Sequence, residues 1–237
     1  MKSLQLLTPA IPCIFNCPFC IAGGHVHQNQ FFNAYRKQHD DWVARLTKVI
    51  KTASDLKTVV ITGTNEPLQS PDCVQEMIEI VHAVRPDVQI ELQTRYYKPL
   101  SVMTQCDVVA YSIADPVFLD KVKPNGRVNR YVILLTDAFE VMSLDDIIAK
   151  LPDRVSQLTF KRLQDSHGVN QQMDQWILDH GMKLHNVKVL EREVQEYQGN
   201  LSIFFDENCM NALDRYMVFR EDGNLYADYD TKEVVNQ

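Results

Sequence analysis

The sequence predicts an α/β protein: a partial (β/α)6 barrel with a parallel sheet, plus a small C-terminal β extension. Two observations lead to this prediction. Short apolar or β-branched runs alternate with helical segments six times within the first 180 residues. The runs lack the apolar–polar alternation of half-exposed strands, which is typical of strands covered on both faces. Six units fall short of the eight in a closed barrel, so we expect an open sheet.

The order of the elements follows from these runs and from the helical periodicity between them. In the first helix, Tyr35, Trp42, Leu46, Val49 and Ile50 recur at helical spacings and form one apolar face. The predicted strands span 3–7, 56–62, 88–94, 107–112, 130–136 and 156–161. The predicted helices span 32–52, 71–84, 99–105, 117–122, 144–150 and 171–180.

The C-terminal part of the chain differs from this alternation. Residues 201–205 form a strand-like run, and Asp222-Gly223 lies between the apolar runs 216–219 and 224–226. Asp-Gly between two such runs is typical of a β-hairpin. We therefore expect a core domain over 1–185 and an extension over 186–237.

Composition and charge exclude several classes of protein. The 237 residues carry a net charge of -7, so the basic face expected of a nucleic-acid-binding protein is not indicated. No apolar run approaches the roughly 18 residues of a membrane span, and the first residues lack a signal-peptide pattern. Three of the six cysteines are scattered singly, unlike a secreted disulfide framework. We expect a cytoplasmic protein without a membrane segment.

Three cysteines fall within eight residues, 13–20, directly after the first predicted strand. Thiolates this close on one loop suit a metal site. An iron–sulfur cube normally takes four cysteines, so three leave one iron open for a substrate or cofactor. The alternative is a zinc site completed by His25 or His27, since three Cys and one His also form a zinc ligand set.

The pattern Cys-x3-Cys-x2-Cys, formed by Cys13, Cys17 and Cys20 with the aromatic Phe19 before the last, resembles the signature of the radical S-adenosylmethionine (radical SAM) enzymes. The resemblance implies that the three cysteines hold a [4Fe-4S] cluster. It also implies that S-adenosylmethionine binds the fourth iron and that Phe19 packs near its adenine.

A second motif, Gly63-Thr64-Asn65-Glu66-Pro67, follows the second predicted strand. In parallel βα folds, ligands bind at the carboxyl ends of the strands, where this motif and the cysteines are expected to meet. The motif resembles the Gly-Gly-Glu-Pro element of the same family, with Asn65 where the family often has Gly. The resemblance implies that Gly63, Thr64, Asn65 and Glu66 hold the amino group of S-adenosylmethionine.

Other candidates lie at the ends of later strands. The resemblance assigns Thr94 to the methionine carboxylate and Ser112 to the ribose, while capping of a strand end is the alternative for each. Lys161 and Arg162 end the sixth predicted strand. Two cations there could hold an anionic group of substrate or cofactor, or form a solvated pair.

The resemblance implies an enzyme that cleaves S-adenosylmethionine reductively to a 5′-deoxyadenosyl radical, which abstracts hydrogen from a substrate. An external donor, a flavodoxin or a ferredoxin, is then required. A small or nucleotide-like metabolite is the favoured substrate. A glycyl-radical activase and a peptide-modifying enzyme are alternatives, although no auxiliary-cluster cysteines support the latter. From another class, the chain could be a non-catalytic zinc-binding module, which metal content would distinguish.

Overall fold

A computed structural model describes most of the chain: residues 2–8, 12–15, 17, 20, 35–161, 175–176, 184–189, 192–197, 202–206, 216–227 and 234–235. The strands in these parts are β1 Ser3–Thr8, β2 Thr58–Gly63, β3 Gln89–Thr94, β4 Val108–Ile113, β5 Val128–Leu134, β6 Gln157–Lys161, β7 Leu184–Val189, β8 Arg192–Tyr197, β9 Ser202–Asp206, β10 Tyr216–Phe219 and β11 Leu225–Tyr226. The α-helices are α1 His39–Thr52, α2 Pro71–Val84, α3 Asp137–Glu140 and α4 Leu144–Ala149, and the short 3-10 helices are Pro67–Gln69, Ser101–Gln105 and Pro116–Phe118.

These strands form one open, mainly parallel sheet in the order β11-β10-β1-β2-β3-β4-β5-β6-β9-β8-β7. The eight strands from β10 to β9 in that order run parallel. The strands outside them pair antiparallel, β11 at one end and β8 with β7 at the other. The predicted fold class is therefore confirmed, an open α/β sheet with a small antiparallel C-terminal addition.

Several elements differ from the prediction. The β7–β8 hairpin was not predicted, and the helices predicted at 99–105 and 117–122 are single 3-10 turns. The C-terminal strands β9 and β10 extend the parallel sheet at both ends, beside β6 and β1. Of the helix predicted at 171–180, only residues 175–176 lie within the described residues, and both are helical.

The core lies between the sheet and its helices. Alternate residues of the central strands, such as Ile90 and Leu92 of β3, are fully buried in the same apolar cluster as Leu46 and Ile50 of α1. This alternation turns the odd-numbered positions of β3 to the opposite, inner face of the sheet. None of the helices that the structure describes has the length and apolar character needed to cross a membrane.

The inner face of the sheet carries a polar network. Arg130 of β5 donates from Nη1 to Oε2 of Glu91 at 2.9 Å and from Nε to Oε1 of Gln157 at 2.9 Å. Gln93 donates to the other carboxylate oxygen of Glu91 at 3.1 Å. Because the buried Glu91 is neutralised by an arginine and hydrogen-bonded twice, its charge is accommodated on this face.

The turn between β10 and β11 is fixed on α1. Trp42 donates from Nε1 to the carbonyl of Arg220 at 3.2 Å, and Arg45 donates to Oδ1 of Asn224 at 3.1 Å. Gly223 has φ +77 and packs beside Trp42, a backbone conformation that glycine adopts without strain. Since β10 runs parallel to β1, this turn emerges at the same edge of the sheet as the loop that follows β1.

Candidate active site

The three cysteines of the loop after β1 are free and half-buried. The backbone N–H of Phe15 donates to Sγ of Cys13 at 3.4 Å, and the N–H of Cys20 donates to the carbonyl of Cys17 at 3.1 Å. The second bond closes a tight turn that brings Cys17 and Cys20 to the same part of the loop. Phe19, predicted to contact the adenine, lies outside the described residues.

Gln69 ties this loop to the end of the neighbouring strand. Its Oε1 accepts from the N–H of Ile14 at 2.8 Å, and its Nε2 donates to the carbonyl of Pro12 at 2.9 Å. Gln69 ends the 3-10 turn that follows Glu66. One side chain therefore holds the backbone on both sides of Cys13 against the motif at the end of β2.

Arg95, the residue after β3, joins the cysteine loop to a third strand end. It donates from Nη1 to Sγ of Cys17 at 2.6 Å, and its guanidinium lies 5.4 Å from the centre of the Phe15 ring. This contact places a cation beside one of the three sulfurs. Sequence analysis left Arg95 without a role, because strand alternation alone does not show which neighbour a strand-end side chain reaches.

Glu66 connects the ends of β2 and β3 through its carboxylate. Oε1 accepts from the N–H of Leu68 at 3.1 Å and from the hydroxyl of Thr94, while Oε2 accepts from the N–H of Arg95 at 2.7 Å. Burial raises the pKa of Glu66, and these three hydrogen bonds act in the opposite direction. The carboxylate therefore fixes the local backbone that positions Arg95.

The remainder of the second motif packs tightly around the end of β2. Thr8 donates to Oδ1 of Asn65 at 3.0 Å, which turns the Asn65 side chain back toward β1. A Cβ added at Gly63 would lie 2.6 Å from both the Asn65 oxygen and the Thr8 hydroxyl. A side chain at position 63 would therefore force the Asn65 and Thr8 side chains to move.

The other predicted residues lie farther along the same edge. Thr94 is buried and donates to Glu66, whereas Ser112 is half-buried and its carbonyl accepts from Tyr97 at 2.7 Å. Lys161 is half-buried at the end of β6, five strands along the sheet from β1. Arg162 lies outside the described residues. The structure thus brings together the cysteine loop, the motif 63–67 and Thr94, but leaves Lys161 at a distance along the sheet.

Sequence analysis also missed Glu221, a buried carboxylate that the β10–β11 turn brings to this edge. Glu221 is 2% exposed, and Thr64 donates from Oγ1 to its Oε1 at 3.3 Å. The two charged neighbours of Glu221 in this turn contact Tyr226. The guanidinium of Arg220 lies 4.1 Å from the centre of the Tyr226 ring, and Asp222 accepts a hydrogen bond from the Tyr226 hydroxyl. Burial raises the pKa of Glu221 to about 7, so the folded apoprotein binds a proton there more readily than the unfolded chain.

This shift predicts a pH-dependent loss of stability. In the folded protein the pKa of Glu221 lies above the ordinary value of 4.5. Proton binding at Glu221 therefore adds its full stabilisation to the free energy of unfolding below pH 4.5, and this stabilisation is lost as the pH rises through 7. The expected loss is about 3 kcal/mol in the free energy of unfolding. Arg220 and Asp222 of the same turn are described residues whose charges also act on Glu221.

The Glu221→Gln variant isolates this effect. Urea denaturation of both proteins at pH 5 and at pH 8 should show the variant gaining stability relative to the wild type at pH 8. A stability difference that is the same at both pH values would contradict the prediction.

The donor set of the loop fits an iron–sulfur cluster. Three reduced, half-buried thiols lie within eight residues, and two of their sulfurs accept N–H donors, as cluster sulfurs do. In the part of the chain that the structure describes, no three His, Cys, Asp or Glu side chains already surround a common metal position. The three sulfurs would therefore have to move closer together to hold a cluster.

No family model and no curated protein matches the sequence, but solved structures share its fold. The match to SuiB from Streptococcus suis bound to S-adenosylmethionine covers 98% of this chain and 62% of the SuiB chain, with a TM-score of 0.55 and 11% identity. SuiB bound to the precursor peptide SuiA matches the same shares, with a TM-score of 0.54 and 12% identity. The match to anSMEcpe with bound AdoMet covers 75% of this chain and 58% of the anSMEcpe chain, with a TM-score of 0.54 and 10% identity.

These neighbours are radical SAM enzymes. At such low identity the likeness concerns the fold alone. The chain also spans only about three fifths of the length of these structures.

Proposed function

We propose that this chain is a radical SAM enzyme that holds a [4Fe-4S] cluster on Cys13, Cys17 and Cys20 and binds S-adenosylmethionine beside it. The observation that supports this best is the joining of three strand ends into one site. Gln69 ties the cysteine loop to the end of β2, and Arg95 ties it to the end of β3. Ligands of open parallel sheets bind at this edge.

In this proposal the protein supplies ligands and orientation. When bound, the cluster supplies one electron that cleaves S-adenosylmethionine and gives a 5′-deoxyadenosyl radical able to abstract hydrogen from a substrate. Arg95 would help to hold the Cys17 sulfur in position through its hydrogen bond. The cofactor itself is assigned, from the family resemblance, to Phe19, Gly63, Thr64, Asn65, Glu66, Thr94 and Ser112.

A small or nucleotide-like metabolite is the first candidate substrate, because the two cations that end the sixth predicted strand could meet an anionic group. Lys161 and Arg162 are proposed to assist at the far end of the edge. Peptide modification is the second candidate, since one structural neighbour is described with a precursor peptide. Activation of a glycyl-radical enzyme is a further alternative. In each case the electron comes from a flavodoxin or ferredoxin, in a reducing cytoplasm.

The test is anaerobic reconstitution of the wild-type protein with iron and sulfide, followed by dithionite and S-adenosylmethionine. We expect bound iron and sulfide and the formation of 5′-deoxyadenosine. A protein that takes up zinc instead and forms no 5′-deoxyadenosine would overturn the proposal and favour a zinc-binding module. The histidines proposed for that module, His25 and His27, lie outside the described residues.

A further inference from the structure

We propose that Glu221, from the C-terminal β10–β11 turn, is a binding residue for the amino group of S-adenosylmethionine. This inference rests on the proposed function. It adds a residue from outside the stretch that resembles the radical SAM family, in a segment that the family motifs do not cover.

The first argument is position. Thr64 belongs to the motif assigned to the amino group, and its hydroxyl contacts the Glu221 carboxylate at 3.3 Å. The parallel pairing of β10 with β1 brings this turn to the edge where the cysteine loop and the motif meet. Glu221 therefore lies beside the backbone that would hold the methionine end of the cofactor.

The second argument is availability. The carboxylate of Glu66, which the motif resemblance assigns to the amino group, already accepts hydrogen bonds from Leu68, Thr94 and Arg95. Asn65, where the family often has glycine, turns its side chain toward Thr8. Because the Glu66 carboxylate is occupied by donors of the protein, a second carboxylate beside the motif would give the ligand's amino group a negatively charged acceptor.

The third argument is charge. Glu221 is 2% exposed, and among the described residues its side chain has Thr64 as a partner and forms no salt bridge. A buried carboxylate outside any salt bridge is costly, and an N–H donor of the ligand's amino group would stabilise it through a charge-assisted hydrogen bond.

The fourth argument is rigidity. Three contacts hold the turn: Trp42 to the Arg220 carbonyl, Arg45 to Asn224, and Tyr226 to Asp222. A carboxylate on a turn fixed in this way is preorganised, so little ordering entropy opposes binding.

The test compares two ligands on three anaerobically reconstituted proteins. The ligands are S-adenosylmethionine and its analogue lacking the amino group, and the proteins are the wild type, Glu221→Gln and Glu79→Gln. Equilibrium binding should show Glu221→Gln weakening S-adenosylmethionine about tenfold or more, as expected for a charge-assisted hydrogen bond. The analogue should bind the wild type and Glu221→Gln with the same affinity. Glu79→Gln removes an exposed carboxylate on α2 that holds no part of the turn, and it should bind both ligands as the wild type does.

Three outcomes would overturn the inference. Unchanged affinity of Glu221→Gln for S-adenosylmethionine would exclude the contact, and an equal loss for both ligands would show that Glu221 only maintains the shape of the site. The wild type itself failing to bind S-adenosylmethionine would overturn the proposed function as well. The first two outcomes leave the proposed function standing. Folding of Glu221→Gln is checked independently by its urea denaturation at pH 8.

Discussion

Replacing Cys17 with alanine is expected to abolish iron–sulfur binding and 5′-deoxyadenosine formation. Three thiolates are the minimum for the proposed cluster, and no other described set of His, Cys, Asp or Glu side chains is placed to take over. Cys17 is also the thiol whose sulfur accepts a hydrogen bond from the guanidinium of Arg95, so its replacement removes that hydrogen bond as well. Iron and sulfide content, visible absorption and product analysis after reconstitution measure the effect.

Cys73→Ala is the matched control. Cys73 is also a free, half-buried cysteine, but it lies on α2 outside the loop, so its replacement should leave iron content and product formation unchanged. Full iron content in the Cys17 variant would show that the cluster does not depend on this loop. An equal loss in both variants would indicate general thiol damage rather than a ligand role.

Replacing Glu66 with alanine is expected to lower the free energy of unfolding by about 3 kcal/mol or more. The change leaves three donors without an acceptor: the N–H groups of Leu68 and Arg95 and the hydroxyl of Thr94. Each lies at or near a buried strand end, where an unpaired polar group carries its full desolvation cost. Urea denaturation followed by tryptophan fluorescence measures the loss.

Two control variants test whether the loss of stability comes from the three hydrogen bonds of Glu66. Glu66→Gln retains an oxygen for Leu68 and Thr94 but faces Arg95 with an NH2 group, so we expect a smaller loss than for alanine. Glu79→Ala removes an exposed carboxylate from α2, and its effect should stay within about 0.5 kcal/mol. If Glu66→Ala were no more destabilising than Glu79→Ala, the three hydrogen bonds would contribute little to folding.

Local signals were sufficient to predict many elements of the fold. Pro71 occupies the first turn of α2, and the helix ends at Val84 as predicted, because the apolar positions Val74, Met77, Ile78 and Val81 recur at helical spacing. The β10–β11 hairpin also follows its local signal, with Gly223 at φ +77. The order of the strands placed the cysteine loop and the motif at the ends of adjacent strands β1 and β2.

Features that depend on distant partners were not predictable. The β7–β8 hairpin has charged residues mixed with its apolar ones and no glycine or proline at its turn, so no strand pattern marked it. Glu221 belongs to a polar stretch that would ordinarily be exposed. Its burial follows from the packing of the turn against Trp42 and the contact with Thr64, and neither contact has a signature in the residues around it.

The pairing of β10 with β1 also has a consequence for the order in which this protein folds. Ser3 pairs with Tyr216, more than two hundred residues later in the chain. Closing so long a loop is entropically costly and slow compared with the local βα units. During synthesis, β1 can pair with β2 early, but its other edge waits until β10 has been made. We therefore expect the strand that leads into the cysteine loop to gain its full hydrogen-exchange protection last, so that the loop becomes firmly anchored only as the sheet is completed.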